Sequence, residues 1–83
     1  MKVSYFSWLR TKTGVASEDV APPEGCRTVA DLVAHLAGRH PALAEIADAP
    51  GGMRFTVNRR YVEPHHELSA GDEVSLFPPV TGG

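Results

Sequence analysis

The sequence predicts an α+β fold in which a mixed β-sheet carries one main helix on its face and ends in an extended C-terminal tail. Segments rich in β-branched and aromatic residues open and close the chain, one segment between them has helical periodicity, and turns rich in glycine and proline separate these parts. A chain of 83 residues supports a single modest core. We therefore predict one domain over residues 1–77, followed by a flexible tail over residues 78–83.

The first part of the chain predicts two neighbouring strands. Residues 2–9, KVSYFSWL, favour a strand because they are rich in β-branched and aromatic side chains and lack glycine and proline. Their apolar residues occur at both parities, which predicts an interior strand covered on both faces. Residues 10–14 suit a short helical turn that ends at a glycine. Residues 15–21 permit a weaker second strand before the turn-forming residues 22–25.

The clearest helix is predicted over residues 28–36. Thr28 is a good N-cap, and Asp31 lies in the first turn, where the helix dipole favours a negative charge. The i, i+3, i+4, i+7 stripe that would face the core consists of Val29, Leu32, Val33 and Leu36. Pro41 cannot continue the helical hydrogen bonds, so we expect the helix to end just before it. A second, short helix is predicted over residues 41–49.

The last third of the chain predicts the remaining strands. Residues 53–57 alternate between apolar and polar side chains, and a tight turn over residues 58–60 leads into a short strand at residues 61–62. Residues 73–77 form the last predicted strand. Because the helix crosses over, this strand can pair parallel to the first one. The order predicts a β-grasp, ubiquitin-like roll; the alternative, a ferredoxin-like sandwich, needs two comparable helices.

Composition and charge argue against several classes of function. The net charge of −2 comes from interleaved acidic and basic residues, so nothing demands the basic face of a nucleic-acid binder. The N-terminus has no apolar run behind a basic start, and no stretch approaches transmembrane length. One cysteine allows no intramolecular disulfide, which fits a reducing compartment. We predict a cytoplasmic protein with neither nucleic-acid nor membrane partners.

The candidate groups for chemistry within the domain are few. Cys26 precedes the helix N-cap, where the helix dipole could stabilise a thiolate, although a free cysteine is more often a small packing residue. The histidines at positions 35, 40, 65 and 66 lack partners at metal-ligand spacing. No glycine-rich phosphate-binding motif occurs, so a partner must bind any nucleotide that the function uses. We predict no metal site and no cofactor bound by this chain.

The C-terminal segment FPPVTGG carries the strongest functional signal. Pro78 and Pro79 lack amide donors, so they end the strand pairing and direct the chain outward in an extended form. Phe77 falls on the opposite face from Val74 and Leu76, which predicts an aromatic docking contact at the root of the tail. The alternative is that Phe77 folds under the helix or a loop.

Two terminal glycines give the tail a chemistry of its own. Without Cβ atoms, Gly82 and Gly83 can thread a channel that other residues would block. The terminal carboxylate is ionised at neutral pH, since its pKa lies near 3.5. A partner can convert it to an acyl-adenylate; attack by sulfur then gives a thiocarboxylate, and attack by an amine gives a ubiquitin-like conjugate. The reaction centre would therefore belong to other proteins.

The residues also resemble a known family. The segment AGDEVSLFPPVTGG, residues 70–83, is similar to the C-terminus of the small subunits of molybdopterin synthase. FTVNRRYV, TVADLVAHLAGRHP and the opening MKVSYFSWLR also resemble that family, so the resemblance covers nearly the whole chain. Residues 15–25 are not diagnostic.

The resemblance implies a β-grasp sulfur carrier. An activating enzyme of the ubiquitin-activating type would adenylate Gly83 with ATP, and a sulfurtransferase would supply sulfur. The thiocarboxylated tail would enter the large subunit of a heterotetrameric synthase and sulfurate cyclic pyranopterin monophosphate to build the dithiolene. Gly83 would carry the sulfur, and Phe77 would contact the partner. The inserted tail would comprise Pro78, Pro79, Val80, Thr81 and Gly82.

Other functions remain open from the residues. Relatives that end in two glycines also carry sulfur for thiamine or other metabolites. A ubiquitin-like modifier joined to lysines would use the same tail. A simple interaction module with a frayed end would not need Gly83 at all.

Overall fold

The structure is a computed structural model that describes residues 1–47 and 52–78. The described residues form five strands and three helices. In order, they are β1 (Lys2–Tyr5), α1 (Leu9–Thr13), β2 (Ser17–Asp19), α2 (Val29–Arg39), α3 (Pro41–Ala47), β3 (Arg54–Val57), β4 (Arg60–Val62) and β5 (Glu73–Phe77). None of the helices in these described ranges has the length and apolarity that a membrane crossing requires.

One mixed sheet unites the five strands in the order β2-β1-β5-β3-β4. The β1 and β5 strands pair in parallel, and the other neighbours are antiparallel. This arrangement confirms the predicted mixed sheet and the predicted crossover between the first strand and the last. It also confirms that β1 is an interior strand.

The predicted extent of the first strand was wrong, because β1 ends at Tyr5 rather than at residue 9. Ser7 has a φ of 56°, a left-handed conformation that breaks the extended chain and turns it into α1. The apolar residues at both parities therefore do not show that both faces of the strand are covered. Val3 and Tyr5 are buried on the inner face, whereas Phe6 lies beyond the strand and is exposed.

The helical layer follows the sequence pattern closely. The Oγ1 of Thr28 accepts a hydrogen bond from the Asp31 amide at 3.2 Å, and Asp31 Oδ2 accepts one from the Thr28 amide at 3.1 Å. This capping box starts α2. It confirms Thr28 as the N-cap, whereas the prediction for Asp31 rested on the helix dipole and did not include its side-chain bond to the Thr28 amide. Pro41 begins α3 immediately after α2 ends. Of the predicted second helix, residues 48–49 lie outside the described residues.

The core lies between the inner face of the sheet and the helices. The whole predicted stripe of α2 is buried, and α3 contributes Leu43 and Ile46. Fully buried partners on the central strands are Val3, Val74 and Leu76. The helices thus cover one face of the sheet, and the other face carries the residues that position the candidate site.

A carboxylate on the inner face joins the edge of the sheet to the end of α2. The register of Glu18 opposite Val3 directs its side chain toward the helices. Glu18 Oε2 accepts a hydrogen bond from the Tyr5 hydroxyl at 2.6 Å and lies 2.8 Å from His40 Nε2. Its Oε1 lies 3.0 Å from Arg39 Nη2. Sequence patterning missed this cluster because its members are far apart in the chain.

Replacing Glu18 with glutamine should lower the free energy of unfolding by about 1–3 kcal/mol near neutral pH, because the negative charge is lost and an NH2 donor replaces one of the two acceptor oxygens that face Tyr5, His40 and Arg39. Partial burial raises the pKa of Glu18, but the hydrogen bonds from Tyr5 and His40 and the charge of Arg39 outweigh it and hold the pKa below its usual value. The stabilisation is therefore present above the unfolded-state pKa and is lost as pH falls through the folded-state pKa.

Urea unfolding of the wild type and Glu18→Gln from neutral to acidic pH measures this contribution. The difference between the two proteins should shrink as the carboxyl group becomes protonated. Glu24→Gln, in an exposed loop, is the matched control and should change stability little. A pH-independent difference for Glu18→Gln would contradict the prediction.

Candidate functional site

Phe77 ends β5 on the outer face of the sheet, as predicted. Val74 and Leu76 are fully buried on the inner face, and strand alternation turns Phe77 the other way. Phe77 does not fold under a helix, because the helices cover the opposite face, but Phe6 in the turn after β1 stacks on it, as the loop part of the alternative allowed. Phe77 is nevertheless half-buried rather than fully exposed, because other aromatic rings cover part of it.

Three rings on the outer face form what we call the aromatic platform: Phe6, Tyr61 and Phe77. The rings of Phe6 and Phe77 are stacked, with centroids 4.7 Å apart and an interplanar angle of 18°. The ring of Tyr61 lies 6.1 Å from that of Phe77. Exposure of 44% for Phe6 and 69% for Tyr61 leaves a contiguous apolar surface open to a partner.

Strand pairing explains why these three residues meet. Tyr5 lies opposite Leu76 in the parallel β1–β5 ladder, and the Phe6 amide donates a hydrogen bond to the Leu76 carbonyl at 3.0 Å. Phe6 therefore lies beside Phe77. Tyr61 reaches the same face from β4, where it lies opposite Thr56. Only Phe77 could be identified from the sequence pattern, because the positions of the other two rings depend on the register of four strands.

A shallow polar depression borders the platform. Its floor is formed by the hydroxyl-bearing residues Ser4, Thr56 and Ser75, which occupy one row across β1, β3 and β5. Among the described residues, no group of three histidine, cysteine or carboxylate side chains is placed to hold a metal ion. The outer face thus combines the exposed aromatic platform with a row of hydroxyl groups.

The predicted tail begins at the platform. Pro78 follows Phe77 directly and is buried. The other predicted tail residues, Pro79, Val80, Thr81, Gly82 and Gly83, lie outside the described residues. Of the predicted tail, the structure therefore describes Pro78 alone, which is packed against the domain.

Cys26 is positioned as a packing residue. Its side chain is half-buried against the core. Burial, together with the negative charge of Asp31, raises the pKa of the thiol above its usual value. The structure therefore favours the inert interpretation over thiolate activation by the helix dipole.

The histidines serve separate purposes. His40 belongs to the Glu18 cluster described above. His65 is exposed, with its Nε2 3.4 Å from Glu63 Oε2.

Comparison of the fold with solved structures identifies the class of protein. The chain is 39% identical, with a TM-score of 0.80, to the putative molybdopterin converting factor, subunit 1, of Pyrococcus furiosus, and the match covers 95% of each chain. It is 30% identical, with a TM-score of 0.80 and 95% coverage of each, to small archaeal modifier protein 1 of Haloferax volcanii. A chain of the Amycolatopsis orientalis BexX/CysO complex is 25% identical, with a TM-score of 0.74 and coverage of 99% and 98%. These likenesses confirm the β-grasp, ubiquitin-like fold.

Sequence comparison then identifies the family. The ThiS family matches residues 3–83, and the chain belongs to it. The chain is 37% identical over 83 residues to the molybdopterin synthase sulfur carrier subunit of Escherichia coli (strain K12), with 100% of this chain and 99% of that protein covered. The human protein of the same name is 33% identical over 86 residues, with coverage of 100% and 93%. The predicted family resemblance is confirmed.

The Cys26 thiol should react slowly with iodoacetamide at neutral pH, because burial and the nearby carboxylate suppress its thiolate form. Its alkylation rate should continue to rise at pH values at which the alkylation rate of a free cysteine has already reached its plateau. Mass spectrometry of timed samples, with glutathione as the reference thiol, measures this. A Cys26 that reacts faster than glutathione at pH 7 would restore the activated interpretation.

Proposed function

We propose that this chain is a sulfur carrier whose C-terminal glycine donates sulfur to the dithiolene of molybdopterin. The observation that carries the proposal is the aromatic platform at the root of a diglycine tail on a β-grasp domain. The similarity to sulfur carrier subunits of molybdopterin synthase over the whole chain supports this assignment.

The proposed loading has two steps in which this chain contributes only the Gly83 carboxylate. The carboxylate oxygen attacks the α-phosphorus of ATP held by an activating enzyme of the ubiquitin-activating type, and pyrophosphate leaves. Hydrosulfide delivered by a sulfurtransferase then attacks the acyl carbon. The new C–S bond replaces the C–O bond to AMP, which leaves with its electron pair, and loss of the proton gives the thiocarboxylate.

The proposed acceptor is cyclic pyranopterin monophosphate, bound by the large subunit of a heterotetrameric molybdopterin synthase. The two terminal glycines would enter its channel because neither carries a side chain. Transfer of the sulfur and hydrolysis would regenerate the carboxylate of Gly83. Within this proposal ATP is bound by the activating partner and not by this chain.

The aromatic platform supplies the proposed docking contact. Five residues follow Pro78, and an extended chain of that length spans at most about 17 Å. An active site that acts on Gly83 must therefore lie within that distance of Pro78. A partner that encloses the tail must cover Phe77 and its neighbouring rings.

The chief alternative is a ubiquitin-like protein modifier. It is favoured by the likeness to small archaeal modifier protein 1, at 30% identity over nearly the whole chain. The same adenylated tail would then be attacked by a lysine amine to form an isopeptide bond. Covalent adducts of high mass in cell extract would favour this function, whereas a thiocarboxylate consumed without adducts favours the carrier.

The mass of the intact protein tests the carrier chemistry. After incubation with a diglycine-activating enzyme from the same organism, ATP and sodium sulfide, the wild type should gain the mass of one oxygen replaced by sulfur. Fragmentation should place the gain on Gly83. Deletion of Gly83 should abolish it without unfolding the domain. Gly82→Val should fold normally but deliver little sulfur, because its side chain blocks the channel.

Gly38→Ala provides a matched control for the glycine changes. Gly38 lies in α2, where an added Cβ meets no atom within 4 Å, so the variant should load and deliver sulfur as the wild type does. Normal delivery by Gly82→Val would contradict the threading step. An unchanged mass of the wild type would overturn the carrier function.

Tyr61→Ala should weaken binding to the molybdopterin synthase large subunit from the same organism by about 30-fold, as expected for an aromatic hot spot worth about 2 kcal/mol. Because Tyr61 is 69% exposed, its loss should leave the free energy of unfolding almost unchanged. Isothermal titration calorimetry measures the affinity. His35→Ala, on α2 at the opposite side of the sheet, should bind normally. Equal losses for both variants would show that docking does not use the platform.

A further inference from the structure

Arg54 places a positive charge at the edge of the aromatic platform. It is the first residue of β3 and lies opposite Phe77 in the antiparallel β3–β5 ladder. The next pair, Phe55 and Leu76, has Leu76 fully buried on the inner face, so alternation directs Arg54 to the outer face with Phe77. The side chain of Arg54 is exposed.

The register places three side chains in one row at the tail end of the sheet. Phe6, directly after β1, lies beside Phe77 on β5, and Arg54 follows on β3. Opposed residues of antiparallel strands have Cα atoms about 5 Å apart. Any partner that covers Phe77 to reach the tail must therefore also cover Arg54.

Arg54 and Lys2, which lie at opposite ends of the outer face, have different neighbours. Lys2 lies between Asp19 and Glu73 in register, so its charge has acidic neighbours on both sides. Arg54 has Phe77 on one side. In residues 1–47 and 52–78, no ion pair or hydrogen bond of its guanidinium group is found.

The strand register indicates Glu63 as a candidate for an internal partner of Arg54. It comes directly after β4 and continues the β3–β4 register toward Arg54. The Glu63 carboxylate is instead oriented to His65, with 3.4 Å between Oε2 and Nε2, and its side chain is 78% exposed. The positive charge of Arg54 is therefore available to form an ion pair with a docking partner.

We propose that Arg54 determines partner specificity by pairing with a carboxylate on the protein that covers the platform. This proposal rests on the proposed function, because the sulfur-accepting large subunit is the partner to which it commits. Covering a guanidinium group without a counter-charge is costly, whereas a carboxylate meets it in bidentate geometry. An apolar partner surface without an acidic residue at that point is thereby rejected.

Binding of Arg54 variants to the molybdopterin synthase large subunit from the same organism tests the proposal. Arg54→Glu should weaken binding about 100-fold and Arg54→Gln about tenfold, as expected for a covered charge pair. Added salt should weaken wild-type binding more steeply than binding of Arg54→Gln. Arg60→Glu is the matched control, since Arg60 is exposed and lies opposite Val57, on the other face of the sheet. It should bind almost as tightly as the wild type.

The outcomes separate this proposal from the proposed function. Normal binding by Arg54→Glu, with Tyr61→Ala still weakened, would overturn the role of Arg54 and leave the carrier function intact. If Arg60→Glu weakened binding as much as Arg54→Glu, the loss would reflect the net charge of the protein rather than the position of Arg54. That result would also overturn the role of Arg54. A wild type that loads sulfur but does not bind the large subunit would overturn this partner and the molybdopterin assignment together.

Sedimentation of the isolated chain tests a different occupant of the same face. A dimer that Arg54→Glu disrupts would mean that a second copy covers the platform, which would overturn the proposal. A monomer at the concentrations used for binding is the expected result. Amide spectra recorded for each variant should superimpose on those of the wild type away from the substitution, which attributes a loss of binding to the surface rather than to unfolding.

Discussion

The parallel pairing of β1 with β5 is the constraint on which the rest of the structure depends. Parallel neighbours require a long crossover connection, and α2 provides it while burying one face of both strands. The same pairing brings the first and last strands of the chain to the centre of the sheet. As a result, the chain after β5 starts beside the turn that follows β1, and the ring of Phe6 stacks on that of Phe77.

The alternation of side chains along β5 places the residues that stabilise the core on one face of the sheet and the residues open to a partner on the other. Val74 and Leu76 contribute to the core, whereas Ser75 and Phe77 face outward. A change on the outer face can therefore alter partner contacts without opening the core. The Glu18 cluster contributes on the inner side, where it fixes the short edge strand to the end of α2.

The sequence was sufficient for the local features and insufficient for those set by register. The N-cap of α2 at Thr28 and the outward position of Phe77 follow from residue types and from strand periodicity, and the structure agrees with both. The predicted β1 was too long because Phe6 and Trp8 are residue types that favour strands. Their propensities do not reveal the left-handed conformation of Ser7 that ends the strand. Glu18 shows the same limit, since its partners are chosen by tertiary packing.

The proposed tail chemistry limits where specificity can reside. Glycine has no side chain, so the two terminal residues can offer a partner only backbone atoms and a carboxylate, which every diglycine carrier also offers. Discrimination among activating enzymes, sulfur acceptors and lysine-bearing targets must then come from side chains outside the channel. In the described part of the chain, the platform at the tail root meets this requirement through shape and apolar area, and Arg54 adds charge to it.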